Sequence, residues 1–350
     1  MKNHFVTALL FSVVFSACDT NPIVEPITDL TAELSTLGED VIVPTYASLD
    51  AKATLLVTAL TALETNQTPQ NLESARQTWR DARQPWEQSE GFLFGPVDQQ
   101  GIDPAMDSWP VNVVDLDNVL AGSQPLTKSY LDGLEGTLKG FHTIEYLLFG
   151  AEGTKTVADF TARQFEYLRA CAESLKGETT KLHTAWLPSG GNFIQNLLLA
   201  GTSSSIYPSQ IAAMQEGVNG MIGIADEVAN GKIYDPLSQQ NVLLEESRFS
   251  SNSKTDFADN IRSIQNAYLG STSGASATKS LSILVATQNA SLDTKIRTQI
   301  TAAIGSIEGI PGTFTTAIFD HQTEVQAAQT AVRDLLETLQ SELLPFVQNL

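Results

Sequence analysis

The segment Leu138-Lys139-Gly140-Phe141-His142-Thr143-Ile144-Glu145-Tyr146-Leu147-Leu148-Phe149-Gly150 puts two ionisable groups where apolar side chains belong. At helical spacing, positions 138, 141, 142, 145 and 149 share one face, so His142 and Glu145 lie inside an apolar stripe rather than opposite it. A carboxylate buried there is costly unless a cation or hydrogen-bond donors meet it. An imidazole and a carboxylate three residues apart converge on a common point, as helix-borne ligands do in metal-binding bundles. Gly140 leaves room for a neighbouring backbone or a ligand to approach closely. The spacing alone admits two readings: a metal seat, and a hydrogen-bonded structural pair.

A second carboxylate on an apolar face is Glu90, four residues beyond Trp86 in the run Trp79, Arg83, Trp86. It reads either as a ligand or as half of a buried ion pair, with Arg83 or with a residue of another helix. Asp107, in Asp103-Pro104-Ala105-Met106-Asp107-Ser108-Trp109-Pro110, reads as a helix cap in preference to a loop ligand. His183 reads as an ordinary helix-edge residue and His321 as exposed, and neither builds a known zinc spacing with His142. Cys171 shares a helical stripe with Phe165, Leu168, Leu175, Leu182 and Trp186, which describes a buried, inert thiol rather than a nucleophile.

The elements that must position these groups are helical. Leu49, Ala53, Leu56, Leu60 and Leu63 step by four and three, Leu72, Trp79 and Trp86 by seven, and Leu292, Ile296, Ile300, Ile304 and Ile307 form another stripe. No two-residue alternation competes with them, and Leu281 to Ala286 reads as helix with Ser276 as its cap. Pro44 and Pro85 are expected to kink or break their segments. Glycines end Phe92-Leu93-Phe94-Gly95, Tyr146 to Gly150 and Tyr268-Leu269-Gly270, as left-handed helix caps would. Breaks fall at 94–126 and at Pro188-Ser189-Gly190-Gly191. The expected fold class is all-α, with one helical bundle over 29–188 and a second over 189–350, each with enough helices to bury its own stripes.

With 350 residues, 20 Lys+Arg against 40 Asp+Glu and a formal net charge of −20, the chain lacks the clustered cations that a phosphate backbone requires, and nucleic-acid partners are excluded. Hydrophobic residues at 42% and charged residues at 17% describe a globular protein rather than an acidic disordered tail. Lys2 and His4 precede the apolar run Phe5 to Ala17, which is too short for a mature membrane span and suits a signal peptide over 1–17. Phe15-Ser16-Ala17-Cys18 resembles a lipobox with Phe15 in place of the usual Leu. Cys18 is then the lipidated N-terminus and 18–28 a tether, so membrane contact runs through the lipid alone, on the periplasmic side or at the cell surface. The alternative is an ordinary signal peptide cut at another small residue. Of the two cysteines only Cys171 remains, so no internal disulfide forms.

Gly140-Phe141-His142-Thr143-Ile144-Glu145 matches the G-x-H-x-x-E signature of the imelysin family, bacterial exported proteins linked to iron uptake and also classed as metallopeptidases. Further segments resemble the family in order and spacing: Trp79 to Trp86 running into Glu90-Gly91-Phe92-Leu93-Phe94-Gly95-Pro96, Asp107-Ser108-Trp109-Pro110, and Glu246-Ser247-Arg248-Phe249-Ser250 leading to Asp256-Phe257 and Asp259-Asn260-Ile261. The resemblance implies two related bundles in tandem, with the signature helix facing a cleft near their junction. It implies that His142 and Glu145 are metal ligands, with Glu90 as a third candidate. Arg83, Asp107, Gly140, Arg248, Ser250 and Asp256 are the implied lining of the cleft.

Three functions compete. The first is a lipid-anchored binder of iron, or of an iron-containing ligand, working with other iron-uptake components. One imidazole with several carboxylates suits iron, manganese or zinc better than copper(I), so the cofactor is a transition metal, iron before zinc. The second is a zinc metallopeptidase, which the spacing disfavours because H-E-x-x-H supplies two ligands and a separate base whereas His142 and Glu145 are two groups in total. The third is a helical protein-interaction module without metal, in which both residues are structural.

Overall fold

The structure is a computed structural model that describes residues 29–350. The expected signal peptide, lipidated Cys18 and tether fall in 1–28, outside the described residues. Among those described there is no strand, and no helix is long and apolar enough to cross a membrane.

Eight longer helices carry the fold: α1 (Val43–Thr65), α2 (Pro69–Glu87), α3 (Gly140–Phe149), α4 (Ala162–Trp186), α5 (Gln210–Glu227), α6 (Ser253–Leu269), α7 (Ala290–Glu308) and α8 (Gln322–Thr338). Their starts are written in local chemistry. Thr68 accepts a hydrogen bond from Asn71 N with Pro69 in the first turn, Thr161 and Gln164 form a reciprocal capping box, and Ser209 and Asn289 cap α5 and α7. The segment from Leu281 is indeed helical, Leu281–Gln288, but its cap is Ser280 and not Ser276. Gly270 takes the left-handed cap conformation, whereas Gly95 and Gly150 have positive φ in other conformations.

The two prolines do not break their helices. α2 runs through Pro85 and ends two residues later. Pro44 sits in the first turn of α1 directly after a π-turn, Thr36–Ile42, and a second π-turn, Leu339–Leu343, precedes Pro345 in the same way. The widened i→i+5 turn gives the pyrrolidine ring space that a regular turn denies it. A third π-turn, Val228–Lys232, extends α5.

α1 packs along both α2 and α4, and α3 lies across α2 and α4. α6 packs on α5 and α7, and α8 on α7 and α5. These two groups share one continuous apolar core, and α6 lies directly on α2. The turn at 187–192 is exposed but closed: Asn192 N donates to Leu187 O (2.9 Å), Phe193 N to Ala185 O (3.0 Å), and Phe193 packs edge-on to Trp186 at 4.9 Å between centroids. Residues 30–42 cross over to the second group, where Leu30 N donates to Gln210 Oε1 (2.9 Å).

Candidate metal centre

Charged groups from five separate stretches meet where α2 and α3 face α6. α2 brings Arg83 and Glu87, and the 3-10 turn Glu90–Phe92 that follows it brings Glu90. Asp107 comes from just past the short helix Ile102–Met106, and His142 and Glu145 from α3. Lys232 ends the third π-turn, and Glu246 precedes Asp256 and Asn260 of α6. The arrangement depends on one glycine. Gly140 has φ +77°, and a Cβ there would lie 2.1 Å from Met106 O, so the approach it permits is that of the backbone bearing Asp107.

His142 is fully buried, with Trp109 edge-on at 5.0 Å between centroids. Its Nδ1 faces Glu145 Oε2 at 3.3 Å. Its Nε2 lies 3.1 Å from Asp107 Oδ1 and 3.3 Å from Glu246 Oε1, yet makes no hydrogen bond of acceptable geometry with either. Glu145, also fully buried, accepts from Ser250 N (2.8 Å) and Ser250 Oγ (2.7 Å) through its other oxygen. The two signature residues thus divide the work: Nε2 of His142 faces the two carboxylates, and Glu145 holds the ring from behind. This is the carboxylate–histidine arrangement that fixes tautomer and ring orientation in metal sites.

Arg83 organises the carboxylates. Its guanidinium is buried at 5.2 Å from the Phe141 ring centroid and 6.0 Å from that of Trp79. It pairs with Glu87 and Asp107 and reaches Glu246 (3.0 Å) and Asp256 (3.3 Å). Asp107 is therefore both the C-cap of the short helix Ile102–Met106, its N–H donating to Asp103 O (2.9 Å), and a site residue, with Trp86 Nε1 donating to its Oδ2 (2.6 Å). The anticipated Arg83–Glu90 pair does not form because α2 ends at Glu87. Glu90 instead accepts from Lys232 Nζ (3.0 Å) and Asn260 Nδ2 (2.8 Å). Arg248 turns away, with its guanidinium over the Phe249 ring at 4.3 Å and Nη1 donating to Ala151 O (3.4 Å). Ser250 and Asp256 do belong to the cluster, through Glu145 and Arg83. Cys171 is buried, and burial pushes its thiol up to about 12.

Electrostatics follow from these distances. Burial would lower the His142 pKa, but Asp107, with Glu145 and Glu246, holds it well above the ordinary value. Burial would raise Asp107, and Arg83 and His142 hold it down at about 2. Burial likewise opposes Glu246, which Lys232, His142 and Arg83 keep well below the carboxylate range. Burial wins at Glu87 and Glu90, which sit well above it despite Lys232.

Donor atoms of Asp107, His142 and Glu246 lie within 4.8 Å of one another, as do those of Glu87, Glu90 and Asp107. One imidazole nitrogen with carboxylate oxygens is a donor set for iron, manganese or zinc, and the orphaned Nε2 of a fully buried ring fits it. The cluster opens onto a cleft of about 380 Å³ lined by Glu90, Asp103, Asp107, Glu227, Lys232 and Glu246, with Leu93, Trp109, Pro110 and Leu243 at its rim. The sequence names Glu246 and Asn260 only as parts of a longer match and does not single out Glu87 or Lys232. Glu87 has a local signal, its i,i+4 relation to Arg83.

The family described as Imelysin matches residues 42–340. The Iron-regulated protein A of Synechococcus elongatus is 34% identical over 341 residues, covering 96% of this chain and 91% of that protein. A crystal structure from Parabacteroides distasonis, provisionally called an iron-regulated protein A precursor, superposes with a TM-score of 0.82 at 29% identity over 89% of this chain and 93% of its own. An imelysin-like protein from Psychrobacter arcticum shares the fold, with a TM-score of 0.76 at 14% identity over 92% of this chain and 97% of its own.

Proposed function

The chain belongs to the imelysin family, and we propose that it is an exported, lipid-anchored protein of the bacterial cell envelope that binds a transition metal, iron before zinc, or an iron-containing ligand, for uptake. The observation that carries this reading is His142: a buried ring whose Nδ1 is held by Glu145 while its Nε2, with no hydrogen-bond partner, faces Asp107 and Glu246. In this reading Asp107, His142 and Glu246 hold the ion and Glu145 orients the imidazole. That role differs from the ligand role the signature implies for Glu145. Glu90 stands in the neighbouring carboxylate group. The name of the cyanobacterial relative supports iron as the first choice.

A peptidase would need a carboxylate free to take a proton from water. The carboxylates around the ring are engaged: Glu145 by Ser250 and His142, Glu87 by Arg83 and Asn260, Glu90 by Lys232 and Asn260, and Asp103, whose carboxyl burial raises to about 6 on the cleft wall, is the one to replace in a cleavage test. Binding without cleavage is therefore the favoured function. Elemental analysis after dialysis, on protein purified from its own periplasm, tests it. Wild type should retain iron or zinc, and His142→Ala and Glu246→Gln should lose it with the helical circular dichroism spectrum kept. Retention by His142→Ala would place the seat elsewhere. Chelator-sensitive cleavage of unfolded insulin chain, absent in the same variant, would replace binding with peptidase action.

A further inference from the structure

The cleft beside His142 does not end at its mouth. Glu90, Leu93 and Glu227 line both that cleft and a second cavity of about 350 Å³. Leu93, Phe94 and Glu216 carry the second into a third, of about 380 Å³, beside Gly95 and Tyr207. Together they form one groove along α5 from Glu227 back to Ala212, about 22 Å of helix.

The four glycines of α5 and its π-turn differ in what they serve. A Cβ on Gly217 would lie 3.1 Å from Leu37 Cδ2, and one on Gly220 would lie 2.4 Å from Gly91 O, so both permit packing within the chain. A Cβ on Gly223 or Gly231 would meet nothing within 4 Å, and neither residue has a positive φ. Glycine weakens a helix more than any residue but proline, and here no contact or conformation of the fold requires it. Gly223 faces the second cavity and Gly231 the first, so bare helix backbone floors the groove.

We propose that this groove docks an extended, basic segment of a partner polypeptide, laid along α5 with one end at the His142 cleft. The walls select that chemistry. Asn219 is exposed beside the floor with no side-chain partner, and its amide donates and accepts as a peptide group requires. Asp98 and Glu216 have no salt bridge or side-chain hydrogen bond, and Glu227 has only Lys232, at 3.6 Å. Lys232, the one cation among the lining residues, is already paired with Glu90 and Glu246, so the complementary charge is positive. The far end is apolar, with Ile206 42% exposed beside Phe193 and Tyr207. An extended chain rising about 3.3 Å per residue fills the groove with roughly seven residues. The docking needs no ion in the His142 seat.

The probe is a fluorescein-labelled heptapeptide of alternating lysine and leucine, set against its glutamate–leucine counterpart and followed by fluorescence anisotropy on the full-length mature chain. The lysine peptide should bind at least about tenfold tighter, weaken in high salt and keep its affinity after dialysis against chelator. Gly223→Leu fills the floor, and should cost about tenfold or more in affinity while the urea midpoint holds or rises. Gly305→Leu is the control: that glycine of α7 is exposed, meets nothing within 4 Å and lies outside the groove, so binding should not change. Glu216→Gln should weaken the lysine peptide and not its counterpart. Equal affinity for the two peptides, or undiminished affinity in a folded Gly223→Leu, overturns the proposal. Displacement by an equal concentration of spermine also overturns it, by making the occupant a polyamine. Binding that persists in a chain stripped of metal supports the groove and stands whether or not the His142 reading does.

Discussion

Replacing Gly140 by Ala should damage the metal centre through the backbone of another segment. With φ at +77°, an added Cβ would stand 2.1 Å from Met106 O and 2.6 Å from Met106 C, where about 3 Å is the least that real contacts tolerate. Neither atom is the end of a flexible side chain, so the Met106–Asp107 backbone must retreat by roughly 1 Å. Asp107 then leaves both His142 Nε2, now 3.1 Å away, and Trp86 Nε1, now 2.6 Å away. The left-handed conformation costs an L-residue about 1–2 kcal/mol, and losing a hydrogen bond to a charged group about 1.5–3. The sum is roughly 2.5–5 kcal/mol, read by urea denaturation of the two proteins, with metal retention falling alongside. Gly101→Ala is the control, since its φ is +61° but nothing lies within 4 Å of the added Cβ, and only the conformational cost should appear. If Gly140→Ala cost no more than Gly101→Ala and retained its metal, the close approach of Met106 would not be what this glycine serves.

Glu245 offers a pH-dependent test. Burial raises its carboxyl to about 7, and its Oε1 accepts from Ser253 Oγ (2.7 Å) and Thr315 Oγ1 (3.0 Å) while Oε2 has no partner. The folded chain holds this proton more tightly than the unfolded one, so stability is lost as pH rises from about 4.5 to 7, by about 3 kcal/mol. Glu245→Gln should therefore be more stable than wild type at pH 8 and nearly equal at pH 4.5 in denaturant titrations, and an equal difference at both pH values would refute the assignment. Cys18→Ala should release the protein from membranes and abolish labelling by a fatty-acid analogue, whereas unchanged membrane partition would remove the lipid anchor.

Helical stripes are legible in the sequence because each is a local repeat, and so is the pair His142 and Glu145, misplaced on one of them. What a stripe cannot disclose is which way each polar group turns. Glu145 and His142 look equivalent by spacing, yet Ser250, 105 residues away, takes the carboxylate and leaves the ring to face Asp107. Asp107 reads as a cap because the sequence shows a turn there, while its partner Arg83 arrives only through packing. Glu246 follows a 3-10 turn, Val242–Leu244, and precedes α6, a stretch with no period to flag an inward side chain. Glu90 shows the converse: the helical face expected of it ends at Glu87, and the 3-10 turn still delivers the carboxylate to the cleft.

The π-turn at Val228–Lys232 has a meaning for how such a cleft diverges between lineages. A π-turn holds one residue more than the α-turn it replaces, and one residue is about 100° of rotation around a helix axis. Loss of a single codon between 228 and 231 would leave α5 packed as before but shift the residues of the turn itself by one place, moving an ammonium relative to the cleft without any lysine being mutated. Among relatives, the charge facing Glu90 is accordingly to be sought as a difference in length, an alignment gap, before it is sought as a substitution.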